Sequence, residues 1–549
     1  MPEPASNNIA SHLPRMAALQ PETAALHIPV GGGEYRHVSF RELEQESNRV
    51  AHALEQVGIC RGVRTALMVT PGLDFFALTF ALFKVGAVPI MIDPGIGVKN
   101  LKTCLTEAEP EAFIGIPKAH IARLLFGWGK GTLKILLTVG RKLVWGGFTL
   151  GKLTATIPAE RSYQVADTAR DETAAILFTS GSTGVPKGVV YTHGNFLAQV
   201  DQLRKVYDIR PGEIDLPTFP LFALFAPALG MSSVVPVMDF TRPGSVDPKN
   251  IIGPIQKFNI TTMFGSPALI NRVGRYGVEH NIKLPSLKRA ISAGAPVPAA
   301  VLERFCSMLN DDVQVFTPYG ATESLPVCSI GSSEILGDTR HATDDGAGVC
   351  IGRPVPDIEL KIIEISDEPV DEWNAELQVA DGEIGEIVVK GPQVTASYYN
   401  RAASTALAKI KEQRGGFWHR MGDVGYRDPA GRIWFCGRKA HRVETGTQTY
   451  YTIPCEAIFN THPQVFRSAL VGIGAVGHMR PVICIELEQG LDNSEQPRIL
   501  EELQEIGRNN PLTATIDNIL FHPAFPVDIR HNAKIFREKL AVWAGEQLS

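Results

Sequence analysis

Short apolar runs bounded by Gly, Pro, Asn or Asp recur along roughly the first 320 residues, and between them apolar positions fall three and four apart. The runs read as buried strands and the stretches between them as amphipathic helices. Strands are predicted at Thr65–Val69, Val88–Ile92, Ala112–Ile116, Lys134–Val139, Ala174–Phe178, Val189–Tyr191, Thr261–Phe264, Arg289–Ser292 and Val313–Phe316. A helix is predicted over Ser39 to Val57, where Ser39 and Glu42 have the spacing of a capping box and Val50, Ala53 and Leu54 continue one apolar face. Another starts near Leu73. The most apolar stretch, Phe75 to Ile92, is broken by Lys84, Gly86 and Pro89, so it reads as a core helix followed by a buried strand and not as a membrane span. Strands alternating with helices predict layered α/β folding with mostly parallel sheets.

The 549 residues are enough for two or more domains, and 53 basic against 58 acidic side chains exclude the strong basic excess of a typical nucleic-acid binder. Cys60, Cys104, Cys306, Cys328, Cys350, Cys436, Cys455 and Cys484 show no paired spacing, which predicts reduced thiols, no structural zinc and a cytoplasmic setting. Met1-Pro2-Glu3-Pro4 has no basic, apolar-cored leader, so no signal peptide is expected. No Gly-x-Ser-x-Gly elbow occurs, which argues against an α/β-type serine hydrolase. One segment departs from the even charge mixture. Phe113 to Ala159 holds Lys118, Arg123, Lys130, Lys134, Arg141, Lys142 and Lys152 and no acid, and within it Ile121, Leu124, Leu125 and Trp128 share one helical face, with His120 and Arg123 off it. Base rates make that face core-directed. The alternative is a helix that lies on an anionic membrane or docks a partner.

The chemistry concentrates at Thr179-Ser180-Gly181-Ser182-Thr183-Gly184-Val185-Pro186-Lys187-Gly188, between two predicted strands. Glycines let successive N–H groups converge on an anion, four hydroxyls add donors and Lys187 adds charge; a polyphosphate suits that cradle. It is not a Walker loop, because Pro186 precedes the lysine and Gly188-Val189 follows it.

This loop resembles the signature of the acyl-adenylate-forming superfamily, whose members activate a carboxylate with ATP to give acyl-AMP and pyrophosphate. The remaining blocks occur in the family's order: Leu216 to Phe225, Ser292-Ala293-Gly294-Ala295-Pro296, Thr317-Pro318-Tyr319-Gly320-Ala321-Thr322-Glu323, Gly382 to Val389, His419 to Gly425, Gly437-Arg438-Lys439 and Pro526 to Leu540. The resemblance implies a large N-terminal layered α/β domain (1–437) and a small, mobile C-terminal α+β domain (438–549). It implies nucleotide binding by Thr179, Ser180, Gly181, Ser182, Thr183, Gly184 and Lys187 and by Gly294, Ala295, Pro296, Tyr319 and Gly320, with Gly294, Ala295 and Tyr319 on the faces of adenine. It further assigns Thr322 to the α-phosphate, Glu323 to Mg²⁺, Asp423 and Arg438 to the ribose, and Lys534 to the carboxylate and α-phosphate during adenylation. Phe222, Ala223 and Phe225 fall in the block that borders the acyl pocket. Ala223 stands where many acyl-CoA synthetases have histidine, Ala440 where the family's hinge commonly has aspartate, and Ala533 where glycine normally precedes the lysine. The usual lysine-glycine pattern after the hinge is also absent from Val443-Glu444-Thr445-Gly446.

Within the superfamily, Phe219 to Phe225, Arg420 to Tyr426 and above all His522 to Ile535 resemble the β-lactone-forming branch of bacterial long-chain olefin biosynthesis. That branch adenylates a long-chain 2-alkyl-3-hydroxy acid, and the substrate's own hydroxyl then displaces AMP. The implied partners are the reductase that forms the hydroxy acid and the decarboxylase that consumes the lactone. A long-chain acyl-CoA synthetase stays open, as does an acyl-binding or scaffold subunit whose adenylation is vestigial.

Overall fold

A computed structural model describes residues 6–179, 185–488, 490–491, 493–527 and 534–549. Among them, the first seven-stranded sheet joins Arg64–Met68, Val88–Met91, Ala112–Gly115, Ile135–Thr138, Phe148–Thr149 and Thr173–Phe178 in parallel, with Gly188–Thr192 antiparallel at its edge. The second is built on parallel strands Ile214–Pro217, Ser232–Val234, Thr262–Phe264, Arg289–Ile291 and Gln314–Phe316, continued by the hairpin Ala24–Gly31 and Glu34–Ser39. The predicted strands all occur here, most of them trimmed by a residue or two at their ends.

A third, antiparallel sheet follows from Tyr319 to Arg438, its longest strand Phe417–Arg427 pairing with Ile433–Arg438 so that Asp423 stands opposite Arg438. Beyond it lies a smaller unit with Val465–Ile473, Arg480–Leu487 and Asn518–Phe521 in one sheet, flanked by helices Thr452–Phe459, Gln496–Arg508 and Arg537–Gln547. The large N-terminal and small C-terminal domains agree with the expected α/β class.

Helix Phe40–Gln56 begins at the predicted capping box, Glu42 N–H donating to Ser39 Oγ at 3.1 Å and Ser39 N–H to the Glu42 carboxylate at 2.6 Å. It packs on helix Leu73–Lys84, whose last residue is fully buried. The Lys84 ammonium donates to Glu44, Ser47 and Asn48 at 2.6–2.7 Å, so the buried charge is compensated by hydrogen bonds from the neighbouring helix. All eight cysteines carry free thiols. Among the described residues no helix is long and apolar enough to cross a membrane.

The core-facing expectation for the basic segment is corrected. In helix Pro117–Phe126 it is His120 that is buried, its ring stacked on Trp145 with 5.0 Å between centroids and its Nε2 3.1 Å from the Leu137 carbonyl. Anchoring His120 inward rotates Ile121, Leu124 and Leu125 outward; Leu125 is 73% exposed. Trp128, past the helix end, is buried.

Candidate active site

The site forms where the three sheets of the large domain meet. Strands Arg289–Ile291 and Gln314–Phe316 lie side by side in parallel, so their carboxyl ends deliver Ser292–Pro296 and Thr317–Glu323 to one edge, the usual position for ligands of open α/β sheets. From the first sheet, Tyr191 donates its hydroxyl to the Thr322 carbonyl at 2.5 Å and is itself approached by the Gln199 amide at 3.4 Å. That fixes the backbone of Thr322 from a strand more than a hundred residues upstream.

Thr179 and Lys187 close the base of the hydroxyl-rich loop: Thr179 N–H donates to the Lys187 carbonyl at 3.0 Å, and Lys187 N–H to Thr179 Oγ1 at 3.1 Å. Ser180, Gly181, Ser182, Thr183 and Gly184 lie outside the described residues. The Lys187 ammonium stands 5.0 Å from the centroid of the Tyr398 ring, a cation–π distance. Tyr398 in turn donates its hydroxyl to Glu323 Oε1 at 2.6 Å. Burial and the adjacent Glu323 carboxylate both raise the Tyr398 pKa, so the phenol stays protonated and remains a donor.

The main chain of Glu323 is held as firmly. Its carbonyl accepts from Thr395 N–H at 2.9 Å and Thr395 Oγ1 at 3.1 Å, and the buried Lys409 ammonium donates to the Thr395 carbonyl. Burial pulls the Lys409 pKa down to about 7. Sequence reading missed Tyr191, Thr395, Tyr398 and Lys409, because none stands in a motif of its own and each acts across a gap in the chain.

Asp423, Tyr319 and Arg438 form the second polar group. Tyr319 donates to Asp423 Oδ2 at 2.6 Å, and Arg438 Nε lies 3.2 Å from Oδ1. Burial pushes the Asp423 carboxyl up, against the opposing pull of Arg438 and Tyr319. Its Oδ1 is buried and, among the described residues, has no hydrogen-bond partner beyond that ion-pair contact, so the carboxylate keeps capacity for a ligand's hydroxyls.

The site also holds a cavity of about 270 Å³. Gly294, Gly320, Thr322 and Lys534 line its polar end, and Phe80, Phe83, Phe196, Phe222 and Phe225 its apolar depth. Ala295, Pro296, Tyr319, Asp423 and Arg438 stand outside that lining. Ala223 does too: it is buried in the main apolar core. With a polar mouth, a lysine and a long apolar interior, the arrangement suits a carboxylate carried on an alkyl chain.

Residues 13–399 match the model of the AMP-binding enzyme family. The chain is 50% identical to the olefin beta-lactone synthetase of Xanthomonas campestris pv. campestris and 49% identical to that of Stenotrophomonas maltophilia, each comparison covering 98% of both chains. The fold is similar to the amide bond synthetase McbA from Marinactinospora thermotolerans, with a TM-score of 0.80, 20% identity, and coverage of 98% of this chain and 99% of that one. The chain belongs to the AMP-binding, acyl-adenylate-forming enzymes.

Proposed function

We propose that this enzyme is an ATP-dependent β-lactone synthetase acting on a long-chain 2-alkyl-3-hydroxy acid. The observation that carries the reading is 50% identity to an olefin beta-lactone synthetase along the full length of both chains. In the first step a carboxylate oxygen attacks the α-phosphorus of ATP, forming the acyl–phosphate bond as pyrophosphate leaves. In the second the β-hydroxyl oxygen attacks the acyl carbon, loses its proton, and AMP departs with the bonding pair. Well-oriented internal attack gains effective molarities of about 10⁵–10⁸ M, part of which offsets the strain of a four-membered ring.

The residues divide that work. Lys534 and Lys187 supply positive charge where the pentavalent phosphorus forms, Thr322 meets the α-phosphate, and Asp423 with Arg438 takes the ribose. Gly294, Ala295, Pro296, Tyr319 and Gly320 border adenine, with the loop 180–184 on the phosphates. Glu323 offers Mg²⁺ a hard oxygen. Among the described residues no three His, Cys, Asp or Glu side chains converge, so phosphate oxygens and water would complete the ion's shell. Bound there, the ion would neutralise charge on the polyphosphate.

The domain division is placed after Gly437. That residue has φ of +128°, and a Cβ on it would run into the Thr452 hydroxyl, so a glycine is required at the joint. Beyond it, the two apolar clusters of the small domain draw only on residues from Val443 onward. With alanine at 440, and a nucleophile already inside the substrate, the reaction needs no second domain orientation to admit a thiol.

Product analysis by NMR tests the reading. With ATP, Mg²⁺ and a synthetic 2-alkyl-3-hydroxy acid, a β-lactone is expected without CoA. Acyl-CoA appearing only when CoA is added would instead make this a long-chain acyl-CoA synthetase, and no ATP turnover across a panel of acids would leave an acyl-binding subunit. The enzymes that make the hydroxy acid and decarboxylate the lactone are the expected pathway partners.

The basic segment adds a place of action, an anionic membrane surface. Ile121, Leu124, Leu125, Phe126, Leu143, Val144 and Phe148 are all exposed beside Lys118, Lys130, Arg141 and Lys142. Apolar side chains framed by cations, with no acid from 113 to 159, match an anionic lipid interface. Co-sedimentation with phosphatidylcholine vesicles containing about a quarter phosphatidylserine should pellet the enzyme. Neutralising Lys130, Lys134 and Lys142 to glutamine should weaken binding by up to about 10²-fold, at roughly 1 kcal/mol per charge. Unchanged sedimentation would remove this surface from the account.

A further inference from the structure

A second cavity, of about 80 Å³, opens beside the first. Leu203, Ile209, Leu229, Met231 and Ile291 wall it, and it shares Phe222, Phe225, Phe264, Ala293, Pro318 and Leu325 with the larger one. Ala293 precedes Gly294 and Pro318 lies two residues before Gly320, so the two cavities diverge close to the polar end, where the carbon next to a bound carboxylate would sit. An unbranched acid has no use for a fork at that point.

Helix Phe225–Leu229 stands between the chambers. Ala226 lines only the smaller and Ala228 only the larger, while Phe225 borders both. Positions two apart on a helix point about 200° from each other, so this short helix presents opposite faces to the two spaces. The smaller chamber is largely apolar: Asp215 on its wall is buried, and burial pushes its carboxyl pKa up to about 8, which favours the neutral form. The Tyr207 hydroxyl on the same wall pairs with Ser329 Oγ at 3.3 Å.

We propose that the smaller chamber is a second acyl subsite, which takes one alkyl arm of a 2-branched acid while the other arm runs down the larger cavity, with helix Phe225–Leu229 as the septum. The proposal rests on the branched-acid reading above. It makes Ala226 and Ala228 specificity-determining positions, each for a different arm.

The test is pyrophosphate release with four acids: one with both arms long, one with the 2-alkyl arm cut to methyl, one with the 3-side arm cut to methyl, and an unbranched fatty acid. Leucine added at a tightly packed pocket wall discriminates by about tenfold or more. Ala226→Leu is expected to lower kcat/KM for the two-armed acid about tenfold relative to one of the two shortened acids and to the unbranched acid. Ala228→Leu should penalise the unbranched acid and the shortened acid that Ala226→Leu spares, and spare the other shortened one. Ala226→Val, a smaller intrusion, should give the same ranking with a smaller ratio and guards against misfolding of the leucine variant. Ratios across the four acids that match wild type in both Ala226 variants would overturn the subsite. Because pyrophosphate release reports adenylation alone, an enzyme that adenylates these acids but closes no lactone overturns the functional reading and leaves the subsite test intact.

Discussion

Replacing Lys534 by alanine should lower the rate of pyrophosphate release by about 10²–10³, roughly 3–4 kcal/mol of transition-state stabilisation, the scale for removing one preorganised donor from a developing oxyanion. Lys534 lines the polar end of the cavity together with Thr322, and its charge reaches Asp423. It therefore stands between the groups proposed to hold the nucleotide and the opening of the acyl chamber. An ammonium in that position interacts more strongly with the pentavalent phosphorus than with separate carboxylate and ATP, so the loss should fall mainly on kcat. Lys534→Arg keeps the charge but not the compact shape, and partial recovery is expected. Lactone closure from a supplied acyl-adenylate should survive the alanine change, because the leaving group is already installed. A loss below about threefold in rapid-quench measurements of acyl-AMP formation would move the role elsewhere, Lys187 being the next cation at the site.

The largest expected loss of stability comes from Glu386→Ala, about 3–5 kcal/mol, the usual result of stripping one partner from a buried ion pair. The Glu386 side chain is 1% exposed and pairs with Arg420, itself 2% exposed, at 2.6 Å and with Lys439 at 3.1 Å. Both cations also donate to the Ser366 carbonyl. Removing the carboxylate leaves two positive groups facing each other with little water to solvate them. Burial already depresses the Lys439 pKa against the pull of Glu386, so losing that carboxylate favours the neutral amine further. Urea titration should show the earliest transition moved to lower denaturant. Because Lys439 directly follows Arg438, the KM for ATP should rise as well. An unmoved urea midpoint would mean that water reaches this cluster freely.

Much of the fold was legible because its signals are local. Ser39 and Glu42 sit three residues apart, and the strands that build the two parallel sheets are short apolar runs with visible ends. Of the motif-bearing residues, Tyr319 and Arg438 both meet Asp423, and Gly294, Thr322 and Lys534 line one cavity. What stayed hidden is held across the chain. Tyr398 is 75 residues from the carboxylate it holds, and nothing around it in the sequence marks the partner. Ala223 looked like a pocket residue because Phe222 and Phe225 are, yet it is buried in the apolar core and absent from the cavity lining. The basic helix was misjudged for a similar reason: apolar periodicity identifies a face, while the contact of His120 with Trp145 and Leu137 decides which way that face turns.

The septum between the two chambers has a consequence for handedness. A guest with one arm on each side of Phe225 cannot rotate about the bond joining its two branched carbons unless an arm crosses the helix. Ring closure needs the hydroxyl oxygen eclipsed with the acyl carbon, and in that arrangement the two diastereomers throw their arms in different relative directions. Only one of those directions fits a fixed partition. With an arm in each proposed subsite, helix Phe225–Leu229 would select between diastereomers at ring closure, after the adenylate has formed.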